Sequence, residues 1–369
     1  MRRQAAALAR AVLLGGLFLA RAGAADPPAV TVAVGGPAED PAYLPVHAAV
    51  ALGTFEAEGV KVTLKRTKHP TEAAAALRGR EVPIAVTTLD EAIRGAWARK
   101  IPVQVLAAHV RAPALALLVA PAARETVRRV EDFRGKAVGI PGPGSTGHLL
   151  LALLLRQARL EPTQVDVRSV GTTGLLARLG EGELAAAMVE EPWASRLLAA
   201  DRAGLLIDFR RPAEVERVIG GPFYEVVSVV VSPPTPEEIK AAKEAAKAGK
   251  KLPPPRQEPP PEAALTAYAR AVARVQTWLA STPPAIVAER LPASLVGDRG
   301  RFDARLAALQ AAYAGTGEAT REGFEATIRV LRSGGSPWPV TLTVGPDELA
   351  APAAVTEARR QLGAPPPPP

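Results

Sequence analysis

The chain of 369 residues contains no cysteine. Disulfide bonds, thiol catalysis, iron–sulfur clusters and cysteine-based zinc sites are therefore excluded. Aromatic residues make up only 4% of the sequence, and its apolar runs are too short for a transmembrane helix. Hydrophobic residues nevertheless account for 48% of the chain, which is enough for a sizeable core and excludes wholesale disorder. The length predicts two lobes rather than one small domain.

Positive charge is in modest excess, with 45 Lys and Arg against 37 Asp and Glu and a net charge of +8. Such an excess can indicate nucleic-acid binding. Four of the arginines, however, lie in an N-terminal segment that we expect to be removed, and the remaining excess is spread thinly. No basic stripe is interleaved with aromatic residues, so no nucleic-acid partner is expected.

The N-terminus has the features of a secretory signal peptide. Two arginines follow Met1, the apolar run at 11–20 is too short to span a bilayer, and the AGA sequence at 22–24 fits cleavage after a small residue. We therefore expect residues 1–24 to be a cleaved signal peptide and the mature protein to be periplasmic. An uncleaved membrane anchor is the alternative.

Short β-branched runs alternate with apolar-faced helical segments over residues 30–108 and again over 137–208. This alternation predicts an α/β protein with two lobes, each a mainly parallel sheet flanked by helices. The helical segments of 262–331 are expected to belong with the first lobe.

Extended apolar segments at 115–120 and 225–232 bracket the second block, and we interpret them as the hinge strands by which the chain crosses between the lobes. Lobe one is then predicted to comprise 30–114 and 229–345, and lobe two to comprise 115–228.

Two segments are of low complexity. Residues 233–261 mix a Lys/Glu/Ala stretch with runs of proline, and we interpret them as a solvated insertion in lobe one. Residues 364–369 end in five prolines and are predicted to be a disordered tail.

The run GPGSTG at 142–147 formally matches a dinucleotide-binding motif between a strand and a helix. The acidic residue that this motif requires at the end of the next strand is missing, so no cofactor is expected. The first backbone N–H groups of the helix are unpaired and carry partial positive charge. Together with Gly144 and the hydroxyls of Ser145 and Thr146, they predict a cradle for an anion or polar acceptor. Alternatively, or in addition, these hydroxyls cap their own helix.

Thr87 and Thr88 end the corresponding strand of lobe one, and the following helix begins with Asp90 and Glu91. Because these two acids would oppose an anion, we expect the threonines to offer hydroxyls to a ligand whose negative end faces lobe two.

The run EEPW at 190–193 closes a strand and opens a helix, at the edge where open α/β sheets bind ligands. We interpret Glu191 as an acceptor for ligand donors and Trp193 as a wall of the pocket. The alternative is that both serve only the helix start and its packing. Neighbouring residues on a strand point to opposite faces, so Glu190 and Glu191 form a poor acid/base pair.

All four histidines follow the carboxyl ends of predicted strands. They are His47, His69, His109 and His148. They could donate to a ligand, or three of them could converge on a metal. The spacing typical of metal ligands, such as His-x-x-x-His, is missing, so no metal is assigned, although convergence of the four is left open. A solvated or locally satisfied ring is the alternative for each.

Several short motifs occur in one order along the chain. They are YLPVH at 43–47, LGTFEAEGV at 52–60, REVPIAVT at 80–87, FRGKAVG at 133–139, GST at 144–146 and EPW at 191–193. In this order, and after a signal peptide, they resemble exported solute-binding proteins of ABC importers, specifically the group that handles sulfonates, taurine, nitrate and thiamine-precursor pyrimidines.

The resemblance implies a type II periplasmic-binding-protein fold, a two-lobed clamshell that closes on a ligand and docks on an ABC permease. With the candidates above, the predicted ligand-binding residues are Tyr43, Leu44, His47, Thr87, Thr88, His109, Gly144, Ser145, Thr146, His148, Glu191 and Trp193.

The function expected from the sequence is therefore capture of a small polar or anionic organic solute by hinge closure of a monomer, without catalysis. Sulfonate, nitrate, an aromatic carboxylate and a pyrimidine remain open as solutes. One alternative is a lyase or hydrolase on the same fold, with Glu190 or Glu191 as acid or base. Another is a sensory or scaffold module in which 233–261 recruits a partner.

Overall fold

A computed structural model describes residues 26–99, 102–232, 259–333 and 345–353, together with a few single positions elsewhere. The predicted signal peptide at 1–24, most of the insertion at 233–261 and the tail at 364–369 lie outside the described residues. Within the described part of the chain, none of the helices combines the length and apolar character needed to span a membrane.

The described residues form ten strands. In chain order they are β1 (Ala29–Val34), β2 (Lys61–Arg66), β3 (Ile84–Thr88), β4 (Val103–Ala108), β5 (Leu115–Val119), β6 (Ala137–Ile140), β7 (Asp166–Ser169), β8 (Ala186–Glu190), β9 (Gly204–Asp208) and β10 (Val226–Val231). They make two five-stranded sheets, with the orders β2-β1-β3-β10-β4 and β7-β6-β8-β5-β9.

Helices connect and cover the strands. The described helices are α1 (Leu44–Ala51), α2 (Thr54–Ala57), α3 (Pro70–Arg78), α4 (Leu89–Arg99), α5 (Thr146–Gln157), α6 (Gly171–Glu181), α7 (Trp193–Ala199), α8 (Pro212–Ile219), α9 (Glu262–Ser281), α10 (Pro284–Arg290), α11 (Ala293–Val296), α12 (Arg299–Leu309), α13 (Arg321–Ser333) and α14 (Pro346–Leu349).

The two sheets have the same plan. Four strands of each run in one direction, and the antiparallel strand enters at the same place, β10 between β3 and β4, and β5 between β8 and β9. The central strands are nearly continuous apolar runs, such as VVSVVV in β10, and are buried on both faces, as expected where helices cover a sheet on both sides. The predicted α/β architecture of two mainly parallel sheets is confirmed.

The crossings between the lobes lie just before the segments predicted for them. The runs at 115–120 and 225–232 contain β5 and β10, which have ladder partners on both sides. Val226 already pairs with Thr88 of the first sheet, so the chain returns before 226 and not near 228 as predicted. The crossings are 109–114 and 220–225, and the N–H of Phe223 on one donates to the carbonyl of Arg111 on the other at 3.1 Å.

The C-terminal helices divide between the lobes, contrary to the expectation that they all belong with lobe one. Helix α9 packs on α1, α2 and β4 of the first lobe, and the ring of Tyr268 stacks on Phe55 with a centroid distance of 5.1 Å. Helix α13 packs on α5 and α8 of the second lobe, and its Thr327 hydroxyl accepts from the N–H of Tyr224 at 3.0 Å. The buried apolar residues of α13 belong to a core cluster that includes residues of both sheets.

Candidate functional site

A cavity of about 450 Å³ lies between the carboxyl ends of the two sheets. The loop 35–43 after β1 and Thr88 at the end of β3 line it from the first lobe. Glu190 at the end of β8 and the two residues after it line it from the second. Ala114 and Glu225 add one residue from each crossing. The cavity has the size of a small-molecule site and lies at the edge where open α/β sheets bind ligands.

The loop 35–43 is built to hold Tyr43 against this cavity. The Asp40 carbonyl accepts from the N–H groups of Tyr43 and Leu44 at 3.0 and 3.1 Å, and its carboxylate accepts from the N–H of Ala42 at 2.9 Å. This turn starts α1. Gly36 lies against the Tyr43 ring, and only glycine fits there, because a Cβ at position 36 would lie 2.3 Å from that ring.

Two of the predicted ligand histidines, His47 and His109, form hydrogen bonds to the backbone of this loop and do not line the cavity. The Nε2 atom of His47 donates to the carbonyl of Gly36, and the Nδ1 atom of His109 donates to the carbonyl of Ala42, both at 3.2 Å. A carbonyl oxygen only accepts, so each of these nitrogens carries the proton. Burial lowers the pKa of both rings, that of His109 to about 4.

A buried relay continues from His109 into the core. With Nδ1 protonated, its Nε2 accepts from the Ser228 hydroxyl at 2.8 Å, and that hydroxyl in turn accepts from Tyr268 at 2.8 Å. Both His109 and Ser228 are fully buried. The relay satisfies polar groups that would be costly to bury alone.

The other two histidines also have local structural partners. His148 accepts from the N–H of Gly144 at 2.9 Å and faces a separate cavity beside α5. His69 accepts from the N–H of Thr71 and caps α3. Among the described residues, no group of three His, Cys, Asp or Glu side chains could hold a metal ion. The predicted contact Leu44 is buried in the core and is not among the cavity residues.

The predicted anion cradle at the start of α5 holds a carboxyl group of the chain itself. Ser145 caps the helix by accepting from the N–H of His148 at 3.2 Å and donates to the carbonyl of Gly142 at 2.8 Å. The Thr146 hydroxyl donates to Oε1 of Glu225 at 2.9 Å. Gly144, with φ of +77°, makes the turn before the cap and does not line the 450 Å³ cavity.

Glu191 borders the cavity, but its carboxylate is already engaged. Its Oε1 accepts from Nη1 of Arg210 at 2.5 Å and from the Ser195 hydroxyl at 2.7 Å. Arg210 also forms a two-pronged pair with Asp208, at 2.6 and 2.9 Å. Glu191 therefore serves a buried ion-pair network rather than the cavity, and the carboxylate beside it, Glu190, is the one left facing the cavity.

Trp193 and Thr87 also lie elsewhere than predicted. Trp193 is 36% exposed and is not among the cavity residues, and the guanidinium of Arg196 lies over its ring at 4.7 Å. The Thr87 hydroxyl is buried and donates to the carbonyl of Pro70 at 2.8 Å. Of the two threonines, Thr88 lines the cavity.

Four carboxyl groups of the cavity were missed by the sequence analysis as ligand contacts. They are Glu39, Asp40, Glu190 and Glu225. Glu39 is exposed. Burial raises the pKa of the other three, that of Glu225 to about 8, and the charge of Asp40 adds to the shift of both Glu190 and Glu225. Asp40 follows the carboxyl end of β1, so the rule that identified the histidines could have found it. Glu225 precedes a strand and has no such signal.

The hydroxyl of Tyr43 has no hydrogen-bond partner among the described residues, although the side chain is only 4% exposed. Burial, reinforced by Asp40 and Glu225, raises the pKa of this phenol, so it is neutral and can both donate and accept. An orphaned polar atom at a cavity wall is a natural contact for a ligand.

Residues 40–245 match the protein-family model described as NMT1/THI5 like. This match spans more than half of the chain. No curated protein matches the chain significantly.

Solved structures share the fold. A protein of Bordetella bronchiseptica RB50 has a TM-score of 0.64 at 18% identity, covering 90% of this chain and 97% of its own. The periplasmic sulfonate-binding protein SsuA of Methylobacillus flagellatus KT has a TM-score of 0.63 at 14% identity, covering 92% and 96%. The periplasmic nitrate-binding protein NrtA of Synechocystis PCC 6803 has a TM-score of 0.56 at 13% identity, covering 91% and 90%.

Proposed function

The chain belongs to the NMT1/THI5 like family, and on that basis we propose that it is the extracytoplasmic solute-binding component of an ABC importer. It captures a small polar solute in the cavity between its lobes and delivers it to a membrane permease. Relatives by fold include a sulfonate-binding and a nitrate-binding periplasmic protein.

The observation that carries this proposal is the composition of the 450 Å³ cavity. Both sheets and both crossings contribute to its wall, so a solute there contacts two bodies of the chain at once. A ligand that contacts both lobes in one arrangement stabilises that arrangement over others. The paired crossings at 109–114 and 220–225 are the places where a hinge would turn.

The signal-peptide features at 1–24 support a periplasmic location. Binding without chemistry is supported for one of the two candidate acid/base groups by the engagement of Glu191 with Arg210 and Ser195, because a carboxylate held in this way is a poor acid or base. The other candidate, Glu190, faces the cavity, and recovery of an unchanged solute is the test of its role. The solute is then released to the permease unchanged.

Solute recovery tests the proposal. Purified protein is incubated with a mixed metabolite extract, isolated again in its native state and denatured, and the released compounds are identified by mass spectrometry. We expect one compound to return unchanged and to compact the protein in X-ray scattering. A chemically altered compound would favour an enzyme, and retention of none would contradict solute binding.

A matched pair of variants locates the site. Ala114 lines the cavity, so Ala114→Trp should fill it and abolish retention of the compound. Ala199 is exposed at the end of α7, and Ala199→Trp should retain the compound as the wild type does. Equal retention by both variants would place the solute elsewhere.

A further inference from the structure

The ionisable groups of the cavity are opposite to those expected of an anion site. Five acidic side chains line it against two cations. The two cations are Lys68, which is exposed, and Arg305, which is half-buried. Water screens an exposed charge strongly, so Lys68 offsets little of the negative charge.

The carboxylates differ in how they are compensated. Glu191 is paired with Arg210. No cation in the described part of the chain lies within salt-bridge distance of Asp40, Glu190 or Glu225. Asp40 accepts one backbone N–H, and the charge of Arg305 lowers its pKa. Glu225 accepts from the Thr146 hydroxyl and from the backbone of Ala114. Half-buried carboxyl groups without a counter-ion are unfavourable unless a ligand supplies one.

Tyr43 is a second, independent indication of a ligand. Its hydroxyl is unpartnered and its side chain is more than nine-tenths buried at the wall of the same cavity. A phenol oxygen accepts from N–H donors, and an aromatic ring attracts a cation to its face.

The described residues do not favour a bound metal ion as the counter-charge for these carboxyl groups. The described residues contain no group of three His, Cys, Asp or Glu with metal-binding geometry. The cavity is also large for an ion and has apolar walls, including Ala42, Leu115 and Val226. Its size and apolar walls fit a small organic molecule.

We propose that the solute is a small organic cation whose protonated nitrogen, of the amine or amidinium type, is held by the carboxylates of Asp40, Glu190 and Glu225 and by the hydroxyl of Tyr43. This inference rests on the proposed function, because it assigns a ligand class to the same cavity. Sulfonate, nitrate and aromatic carboxylates would meet like charge there and would bind poorly.

Four probes that share a benzene ring test the charge class. Benzamidine is a cation, benzamide is neutral, and benzoate and benzenesulfonate are anions. In calorimetric titrations of the full chain, we expect benzamidine to bind at least about tenfold more tightly than benzamide, and both anions to bind more weakly than benzamide. Benzamidine binding no tighter than that of benzamide, failure of all four probes to bind, or a preference for either anion would overturn the inference.

Amide variants show whether the cavity carboxylates cause the preference. Glu190→Gln and Glu225→Gln keep the size and the acceptor oxygen, and each should lower the affinity for benzamidine by about tenfold while leaving benzamide unchanged. Glu181 is exposed on α6, so Glu181→Gln removes the same charge outside the cavity and should bind as the wild type does. A preference that survives both cavity variants would overturn the inference.

Scattering separates this inference from the proposed function. Compaction with benzenesulfonate would leave solute capture standing and overturn the cation assignment. Benzamidine binding without compaction would support the cation assignment and contradict hinge closure.

Discussion

The Thr146 hydroxyl, on the first turn of α5, donates to the Glu225 carboxyl in the crossing before β10 at 2.9 Å. This hydrogen bond and the nearby helix start both favour the charged form of the carboxyl. Burial and the neighbouring Asp40 charge oppose it and prevail, since the pKa of Glu225 is raised to about 8. The contact therefore joins the second lobe to a hinge segment through a carboxyl that is largely protonated at neutral pH and that a cation bound beside it would ionise, because an opposite charge lowers the pKa of a carboxyl.

Replacement of Thr146 tests the structural value of this contact. Thr146→Val removes the donor and keeps the shape, so we expect the free energy of unfolding to fall by about 1 kcal/mol. Thr146→Ser keeps a hydroxyl, so its free energy of unfolding should fall by less. Chemical denaturation measures both, and equal losses would show that the hydroxyl contributes nothing.

The raised pKa of Glu225 predicts a pH dependence of stability. The folded state binds this proton more tightly than the unfolded state does, where the pKa is close to 4.5. The contribution of Glu225 to the free energy of unfolding is therefore fully present below about pH 4.5 and is lost as the pH rises through about 8. The pKa values of Asp40 and Glu190 are also raised in the folded protein, whereas those of the buried His47 and His109 are lowered.

Glu225→Gln tests this group, because the titrations of groups that do not interact with Glu225 cancel in a comparison with the wild type, and only those of its neighbours Asp40 and Glu190 change with it. The variant's unfolding free energy relative to the wild type should rise by more than about 1 kcal/mol between about pH 5 and pH 8. Denaturant titrations across this range give the difference. A constant difference would contradict a raised pKa of Glu225 in the native protein.

The alternation of strands and helices was sufficient to predict the two sheets, because each period is local in sequence. It could not show that the whole of β10, beginning at its first residue, lies in the first sheet. A valine-rich run has the same sequence pattern in either sheet. The same limit applies to α13, whose apolar face fits a helix of either lobe.

The candidate site was predicted less completely, because the partners that occupy a side chain are distant in sequence. Tyr43, Thr88 and Glu191 border the cavity as the sheet-edge rule predicts. That rule could not reveal that Arg210, 19 residues along the chain, takes up the Glu191 carboxylate. His109 likewise depends on Ser228, which is 119 residues away.

The relay from His109 predicts strong coupling between buried polar groups. His109→Leu keeps the volume but removes the acceptor for the Ser228 hydroxyl proton and the side-chain donor to the Ala42 carbonyl, at a cost of about 2 kcal/mol or more in unfolding free energy. Once Ser228→Ala has removed one of these groups, the same substitution should cost less. A double-mutant cycle by chemical denaturation measures the difference, and strictly additive losses would contradict the relay.

The close approach of Gly36 to the Tyr43 ring predicts intolerance of even a methyl group. Gly36→Ala places a Cβ 2.3 Å from the ring, so we expect a loss of about 1–3 kcal/mol in stability and weaker solute binding as the ring is displaced. Gly142 has no atom within 4 Å of such a Cβ, and Gly142→Ala should be nearly neutral. Thermal unfolding of the two variants under one condition makes the comparison.

Tyr43→Phe should change stability and binding in opposite directions. The hydroxyl lacks a partner within the described chain, so its removal takes away an unsatisfied buried group and should stabilise the unliganded protein by roughly 0.5–1 kcal/mol. The same change removes an acceptor for the solute and should weaken benzamidine binding about threefold to tenfold. A hydroxyl satisfied by a neighbouring group would instead make the variant less stable, and one that points away from the solute would leave its affinity unchanged. Thermal unfolding without ligand and calorimetry with benzamidine separate these possibilities, because only an orphaned hydroxyl that awaits a ligand gains stability and loses affinity together.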